Sequence, residues 1–238
     1  MKIERYGNVY QVTFMPRMFP VNCYLVEEED SLTLIDAALP YSAGAILDAA
    51  AAIGKSIANI ALTHAHEDHI GALAELKRRL PEAIVAVSER DARLLAGDRS
   101  LLPGEPQTPI RGGVPKKRQP APDRLLREGD RIGSLEAVAA PGHTPGSMAF
   151  LDARSGALIA GDAFQTRGGT AVSGTPVPWF PFPAWATWHA DTALESARKL
   201  AALEPSLLAV GHGPALREPL GAMNDAIAEA EARLRDKR

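Results

Sequence analysis

Four times in this chain a short apolar run ends on a histidine or an aspartate. Ile60-Ala61-Leu62 leads into Thr63-His64-Ala65-His66-Glu67-Asp68-His69-Ile70-Gly71, and Ala139-Ala140 into Pro141-Gly142-His143. Leu158-Ile159-Ala160 leads into Gly161-Asp162, and Leu208-Ala209-Val210 into Gly211-His212-Gly213. A buried strand that opens onto a polar turn puts that turn at the strand's carboxyl end, where open sheets keep their sites. Seven ligand-capable side chains placed in this way favour a fold that gathers several strand ends at one edge.

The rest of the pattern agrees with such a fold. Residues 9–14, 23–26 and 32–35 are β-branched or aromatic runs separated by turn residues and read as antiparallel strands. An alanine-rich helix is expected over 41–53 with Gly54 as its stop, followed by a strand over 57–62. Leu73, Leu76 and Leu80 on one side and Lys77, Arg78 and Arg79 on the other predict an amphipathic helix over 70–80, stopped by Pro81. A strand over 83–87 and a short helix over 89–96 follow. Six prolines between 97 and 122, with no periodicity, mark a long loop. Strands resume at 131–139, 148–152 and 157–160, with Ser155-Gly156 as a hairpin turn. A second irregular stretch covers 165–186, then helix 192–203, strand 206–210 and helix 219–235. Each half gives strands first and an αβ unit afterwards, which predicts an α/β fold of two mixed β-sheets packed together with helices outside. The 238 residues fit a single domain over 1–238.

Composition excludes several classes. One cysteine, Cys23, rules out a disulfide framework and a thiolate-rich metal site, and reads as a small buried hydrophobe. Twenty-six basic against 29 acidic residues argue against a chain built to coat nucleic acid. No run of 18 apolar residues is present to span a bilayer. The opening MKIERYGNVYQVTF has Glu4 and Asn8 where a signal peptide needs an apolar centre, so a cytoplasmic location is expected.

His64 and His66, two apart in an extended segment, point to the same side and suit one ion; Asp68 and His69, past the bend, suit a second. Imidazole with carboxylate favours zinc, manganese or iron over calcium or magnesium.

Taken in order, T-H-A-H-E-D-H, G-H-T-P-G-S, G-D-A and G-H-G-P resemble the motifs of the metallo-β-lactamase-fold metallohydrolase superfamily. The resemblance runs from about Val9 to the last helix. It implies a four-layer αβ/βα sandwich with a dinuclear metal centre, most simply two zinc ions, at one edge of the sheets. Carried onto this chain, it assigns His64, His66 and His143 to one ion, Asp68, His69 and His212 to the other, and Asp162 to a bridge between them. The implied chemistry is hydrolysis by a hydroxide shared between the ions, with Asp68 orienting it. Asp36, at the end of a strand, matches an aspartate common in the family and reads either as support for a ligand histidine or as a turn residue. The diiron oxidoreductases of the superfamily carry glutamate where His66 stands, so hydrolysis is favoured, and the role of Glu67 stays open. His189 matches no motif and reads as a capping or surface residue.

A small carbonyl substrate (lactone, ester, thioester or amide) is the leading expectation. A phosphodiesterase and a mononuclear iron persulfide dioxygenase are the alternatives. Phe180, Phe182 and the three tryptophans, Trp179, Trp185 and Trp188, fall in or beside the second irregular stretch. They form either an apolar wall for the substrate or a core or dimer contact. Arg111, Lys116, Lys117 and Arg118 in the first loop either steer an anion or are simply solvated. Arg233, Arg235, Lys237 and Arg238, on the terminal helix, are a poor cluster for glutathione.

Overall fold

Alternation along the strands decides which layer each side chain enters. The computed structural model describes residues 1–116 and 119–236. It begins with strands β1 (Lys2–Tyr6), β2 (Val9–Phe14), β3 (Val21–Glu27) and β4 (Ser31–Ile35), helix α1 (Ala43–Ile53) and strand β5 (Ser56–Ala61). Helices α2 (Glu67–Ile70) and α3 (Leu73–Arg79), strand β6 (Ile84–Ser88), helix α4 (Asp91–Leu95) and strand β7 (Arg124–Leu126) follow. Strands β8 (Arg131–Ile132), β9 (Leu135–Ala139), β10 (Met148–Asp152), β11 (Ala157–Gly161), β12 (Phe164–Gln165) and β13 (Ala171–Val172) lead to helices α5 (Phe182–Ala186) and α6 (Ala190–Ala201). Strands β14 (Leu207–Val210) and β15 (Leu216–Arg217) and helix α7 (Leu220–Arg235) end the chain.

Strands β1 to β7 form one sheet in sequence order, antiparallel from β1 to β4 and parallel from β4 to β7. The other large sheet has the order β15-β14-β11-β10-β9-β8, with β11 and β14 parallel. Tyr24 and Val26 of β3 pack between the sheets against Phe150 and Ile159, whereas Cys23 and Leu25 face the helices of the first half. Leu207 and Ala209 of β14 likewise enter the space between the sheets, and Leu208 and Val210 face α6 and α7. Each strand thus supplies two apolar layers, and the result is the expected αβ/βα sandwich of two mixed sheets. A fully buried side chain such as Phe150 contributes about 1.5–3 kcal/mol to this arrangement.

Several details differ from the sequence reading, and the stretch read as irregular over 165–186 contains β13 and α5. The helix expected over 70–80 begins only at Leu73, as α3, with the short α2 separate before it, because Ala37 N–H takes the His69 carbonyl (2.6 Å) that would have continued the ladder. Gly71 N–H then donates to the Ala38 carbonyl at 2.8 Å, and a Cβ on Gly71 would sit 2.5 Å from Pro40 N. Strands β1, β7 and β15 lie at sheet edges and escaped the pattern. Residues 131–139 are two strands, β8 and β9, rather than one. Among the described residues no helix is long and apolar enough to cross a membrane. Cys23 is fully buried, and burial pushes its thiol well above the usual range.

Candidate metal centre

Two parallel strand pairs, one per sheet, deliver most of the site. Asp36 follows β4 and His64 follows its parallel neighbour β5; Asp162 follows β11 and His212 ends the turn after its parallel neighbour β14. The sheets are joined at this edge by Met148 N–H to the Thr63 carbonyl (2.8 Å) and Asn22 N–H to the Gly211 carbonyl (2.9 Å). The β9–β10 turn brings His143 alongside, held by Trp188 N–H to the His143 carbonyl at 3.0 Å.

Every imidazole of the cluster has its outer nitrogen occupied. His69 Nδ1 donates to Asp36 Oδ2 (2.7 Å), and His212 Nδ1 donates to the Pro20 carbonyl (2.6 Å). His66 Nε2 donates to the Arg111 carbonyl at 3.0 Å. The Thr63 hydroxyl gives its proton to Asp36 (2.7 Å), so it accepts from His64 Nδ1 at 3.0 Å. The Thr187 hydroxyl gives its proton to the Pro183 carbonyl, and Ser173 lies 2.8 Å from Thr187 and 3.0 Å from His143 Nδ1. The inner nitrogens, Nε2 of His64, His69, His143 and His212 and Nδ1 of His66, therefore face one another across the centre. Outer partners of this kind fix the tautomer and orientation of ligating histidines.

Several polar atoms at the centre make no hydrogen bond, although His69 Nε2 and Asp162 Oδ1 lie 3.4 Å apart as an ion pair. His64 Nε2, His69 Nε2 and Asp162 Oδ1 are buried without a hydrogen-bond partner, a costly state for polar atoms. Ligand atoms of His64, His66 and His143 lie within 4.8 Å of one another, as do those of His64, His69 and Asp162, and of Asp68, His69 and His212. Asp162 Oδ2 stands 3.4 Å from His143 Nε2 and 3.2 Å from His212 Nε2, between the two histidine groups. Nitrogen and carboxylate donors gathered in this way fit divalent transition ions. Gly211 leaves room for them: a Cβ there would collide with Asp162 Oδ1 and come within 2.6 Å of His69 Cε1.

The surroundings push the histidines of the two halves in opposite directions. Burial, together with the neighbouring imidazoles, holds His64 well below the ordinary histidine range; burial also lowers His66 and pushes His143 down to about 3. Burial opposes charge on His69 and His212 too, but Asp162 and the other nearby carboxylates outweigh it, and His212 is pushed up to about 10. Burial also works against ionisation of Asp68 and Asp162, yet the His69 and His212 imidazoles hold both below the usual carboxylate range.

A cavity of about 160 Å³ reaches this centre, walled by Phe19, Phe182, Pro183 and Ala186 and floored by Asp68 and His212. It shares Phe19, Asp68 and Gly113 with a groove of about 550 Å³ that Leu39, Pro40 and Glu67 also line. No lysine or arginine stands among the described residues lining either space.

All seven expected site residues meet at this edge. The aromatic stretch divides: Phe180 and Trp188 are buried, Phe182 lines the cavity, and Trp179 is 90% exposed. His189 caps α6, with Nδ1 accepting from Thr192 N–H at 3.3 Å. Arg111 and Lys116 are exposed, while Lys117, Arg118, Lys237 and Arg238 lie outside the described residues. Sequence reasoning missed Phe19, the Arg111 carbonyl and Asp91. No local pattern announces them, because each reaches the site only through tertiary packing.

The sequence profile of the metallo-beta-lactamase superfamily matches residues 16–212. Protein YobT of Bacillus subtilis (strain 168) is 57% identical over 232 residues, which is 97% of this chain and 99% of its own length. A hydroxyacylglutathione hydrolase of Acidiphilium cryptum (strain JF-5) is 28% identical over 204 residues, 85% of this chain and 68% of its own length. Among solved structures, TTHA1623 in a di-iron-bound form is 30% identical with a TM-score of 0.64, covering 89% of this chain and 96% of that one.

Proposed function

The chain belongs to the metallo-beta-lactamase superfamily, and on that premise we propose that it is a dinuclear metal-dependent hydrolase of small carbonyl compounds: esters, thioesters, lactones or amides. The observation that carries the reading is the convergence of ligand atoms from His64, His66, His143, His69, Asp162, Asp68 and His212, with His64 Nε2, His69 Nε2 and Asp162 Oδ1 buried and making no hydrogen bond while the histidines' other nitrogens are already committed. His64, His66 and His143 would hold one ion, Asp68, His69 and His212 the other, with Asp162 between them. Zinc suits this donor set best, and the di-iron form of TTHA1623 makes iron the next candidate. When bound, such a pair lowers the pKa of a shared water and polarises the substrate carbonyl.

The chain's own residues supply the rest. Asp68 reaches the cavity with its side chain 28% exposed, where its carboxylate accepts a proton from the attacking water and returns it to the leaving group. Phe19 and Phe182 exclude water from one wall and receive the apolar part of the substrate. The hydroxyacylglutathione hydrolase relative supports a thioester within the class. Arg233, in the terminal-helix cluster that reads as poor for glutathione, is bound to Glu229 on its own helix. A panel of chromogenic esters, thioesters, lactones, β-lactams and phosphodiesters tests the proposal on chelated and zinc-reloaded protein. Metal-dependent turnover of a small carbonyl substrate is expected. Turnover confined to phosphodiesters would overturn it.

A further inference from the structure

Asp91, the first residue of α4, is completely buried and lies outside the set of seven. Its Oδ2 accepts from Ala65 N–H at 3.0 Å and from the Thr144 hydroxyl at 2.8 Å, and its Oδ1 accepts from Gly146 N–H at 2.9 Å. Ala65 sits between His64 and His66, and Thr144 follows His143. One carboxylate therefore ties the loop bearing two of these histidines to the loop bearing the third. The approach is close enough to require glycine at 146, where a Cβ would fall 2.5 Å from Asp91 N. The neighbouring cation, Arg90, is committed to Glu105 at 2.6 and 2.9 Å, so the donors satisfying Asp91 come from the two ligand loops. A buried carboxylate is tolerated only when its oxygens are bonded, which makes the two loops and Asp91 interdependent.

Other groups support the second half of the centre. His69 is held by Asp36, and His212 by the Pro20 carbonyl. Asn22 grips the His212 turn through the Val210 and Gly213 carbonyls, both at 2.7 Å. Resting on the dinuclear reading above, we propose that Asp91 is a positioning residue for the His64–His66–His143 ion alone, setting the affinity of that ion without affecting its neighbour.

The test uses the full chain, stripped by chelation and titrated with zinc against a chromophoric chelator. Asp91→Asn puts an amide N–H against Ala65 N–H or Gly146 N–H, so one ligand loop loses its anchor. By comparison with other residues that support metal ligands, one of the two stepwise affinities should fall about 10- to 100-fold while the other stays within about two-fold. The affected step should be the one removed by His143→Ala and retained in His212→Ala. Thr144→Val, which deletes one donor and leaves the carboxylate in place, should weaken the same step less and serves if Asp91→Asn does not fold. Equal loss at both steps, or no loss at either, would overturn the proposal. A wild type that binds one ion would contradict the dinuclear reading instead; the positioning role then requires Asp91→Asn to weaken that ion, and an unchanged affinity would refute it.

Discussion

Asp36 Oδ2 lies 2.7 Å from His69 Nδ1, and the same carboxylate takes the Thr63 N–H and the Thr63 hydroxyl, each at 2.7 Å. One side chain thereby orients His69 directly and His64 through Thr63. Asp36 holds a left-handed backbone with φ of 62°, a conformation that asparagine shares more readily than alanine. Asp36→Asn should keep the fold and lose the charge-assisted bond to His69. The expected result is metal affinity about 10- to 100-fold weaker, read by chelator competition, with a cooperative melt retained. Unchanged affinity would mean that the aspartate serves the turn only.

Gly211→Ala offers a steric test of the same centre. The added methyl would meet Asp162 Oδ1 and the His69 ring, both buried, whereas at Gly221 on α7 a methyl meets nothing within 4 Å. The first substitution should remove bound metal and hydrolysis together. The second should leave both intact and stabilise the chain by up to about 1 kcal/mol, since alanine favours helix over glycine. Normal metal content in Gly211→Ala, by elemental analysis, would show that the centre lies elsewhere.

Two exposed aromatics should behave differently. Phe182 walls the cavity, and Trp179 is absent from its lining. Phe182→Ala should raise KM for an apolar substrate about five-fold, equivalent to about 1 kcal/mol of lost contact, with little change in kcat. Trp179→Ala should alter neither constant and shift stability by less than about 0.5 kcal/mol. Equal effects of the two on KM would assign the wall to the whole aromatic stretch.

Asp68→Ala should abolish turnover while the chain still folds, because the side chain borders the cavity rather than the core. Circular dichroism and a thermal melt check the fold, and initial rates at saturating substrate check the chemistry. Full turnover in this variant would remove Asp68 from the mechanism.

Legibility in the sequence followed from how local each feature is. His64, His66, Asp68 and His69 share one turn, and His143, Asp162 and His212 each end a recognisable apolar run, so motif and strand end could be read together. The two sheets with helices outside were legible in the order of strands and helices, and the four layers came from the family resemblance; near-continuous apolar strands such as β3 and β14 do not show which side chain enters which layer. Asp91 was invisible because its partners lie 26, 53 and 55 residues away, and nothing in the segment around it signals a clamp. Phe19 enters from the β2–β3 connection by packing against Phe180 and Phe182, with ring centroids 5.1 and 5.2 Å apart. The single helix expected over 70–80 failed for a related reason: periodicity records side chains, and the break is made by the backbone bond from Ala37 to His69. Edge strands as short as β15, two residues long, carry too little pattern to read.

The most direct measurement is the metal content of the purified chain, taken beside its hydrolysis of a chromogenic thioester before and after chelation. Two divalent transition ions per chain are expected, with hydrolysis lost on chelation and restored by zinc. Hydrolysis that survives complete removal of metal, or one iron per chain with oxygen consumption and no hydrolysis, would contradict the proposed centre.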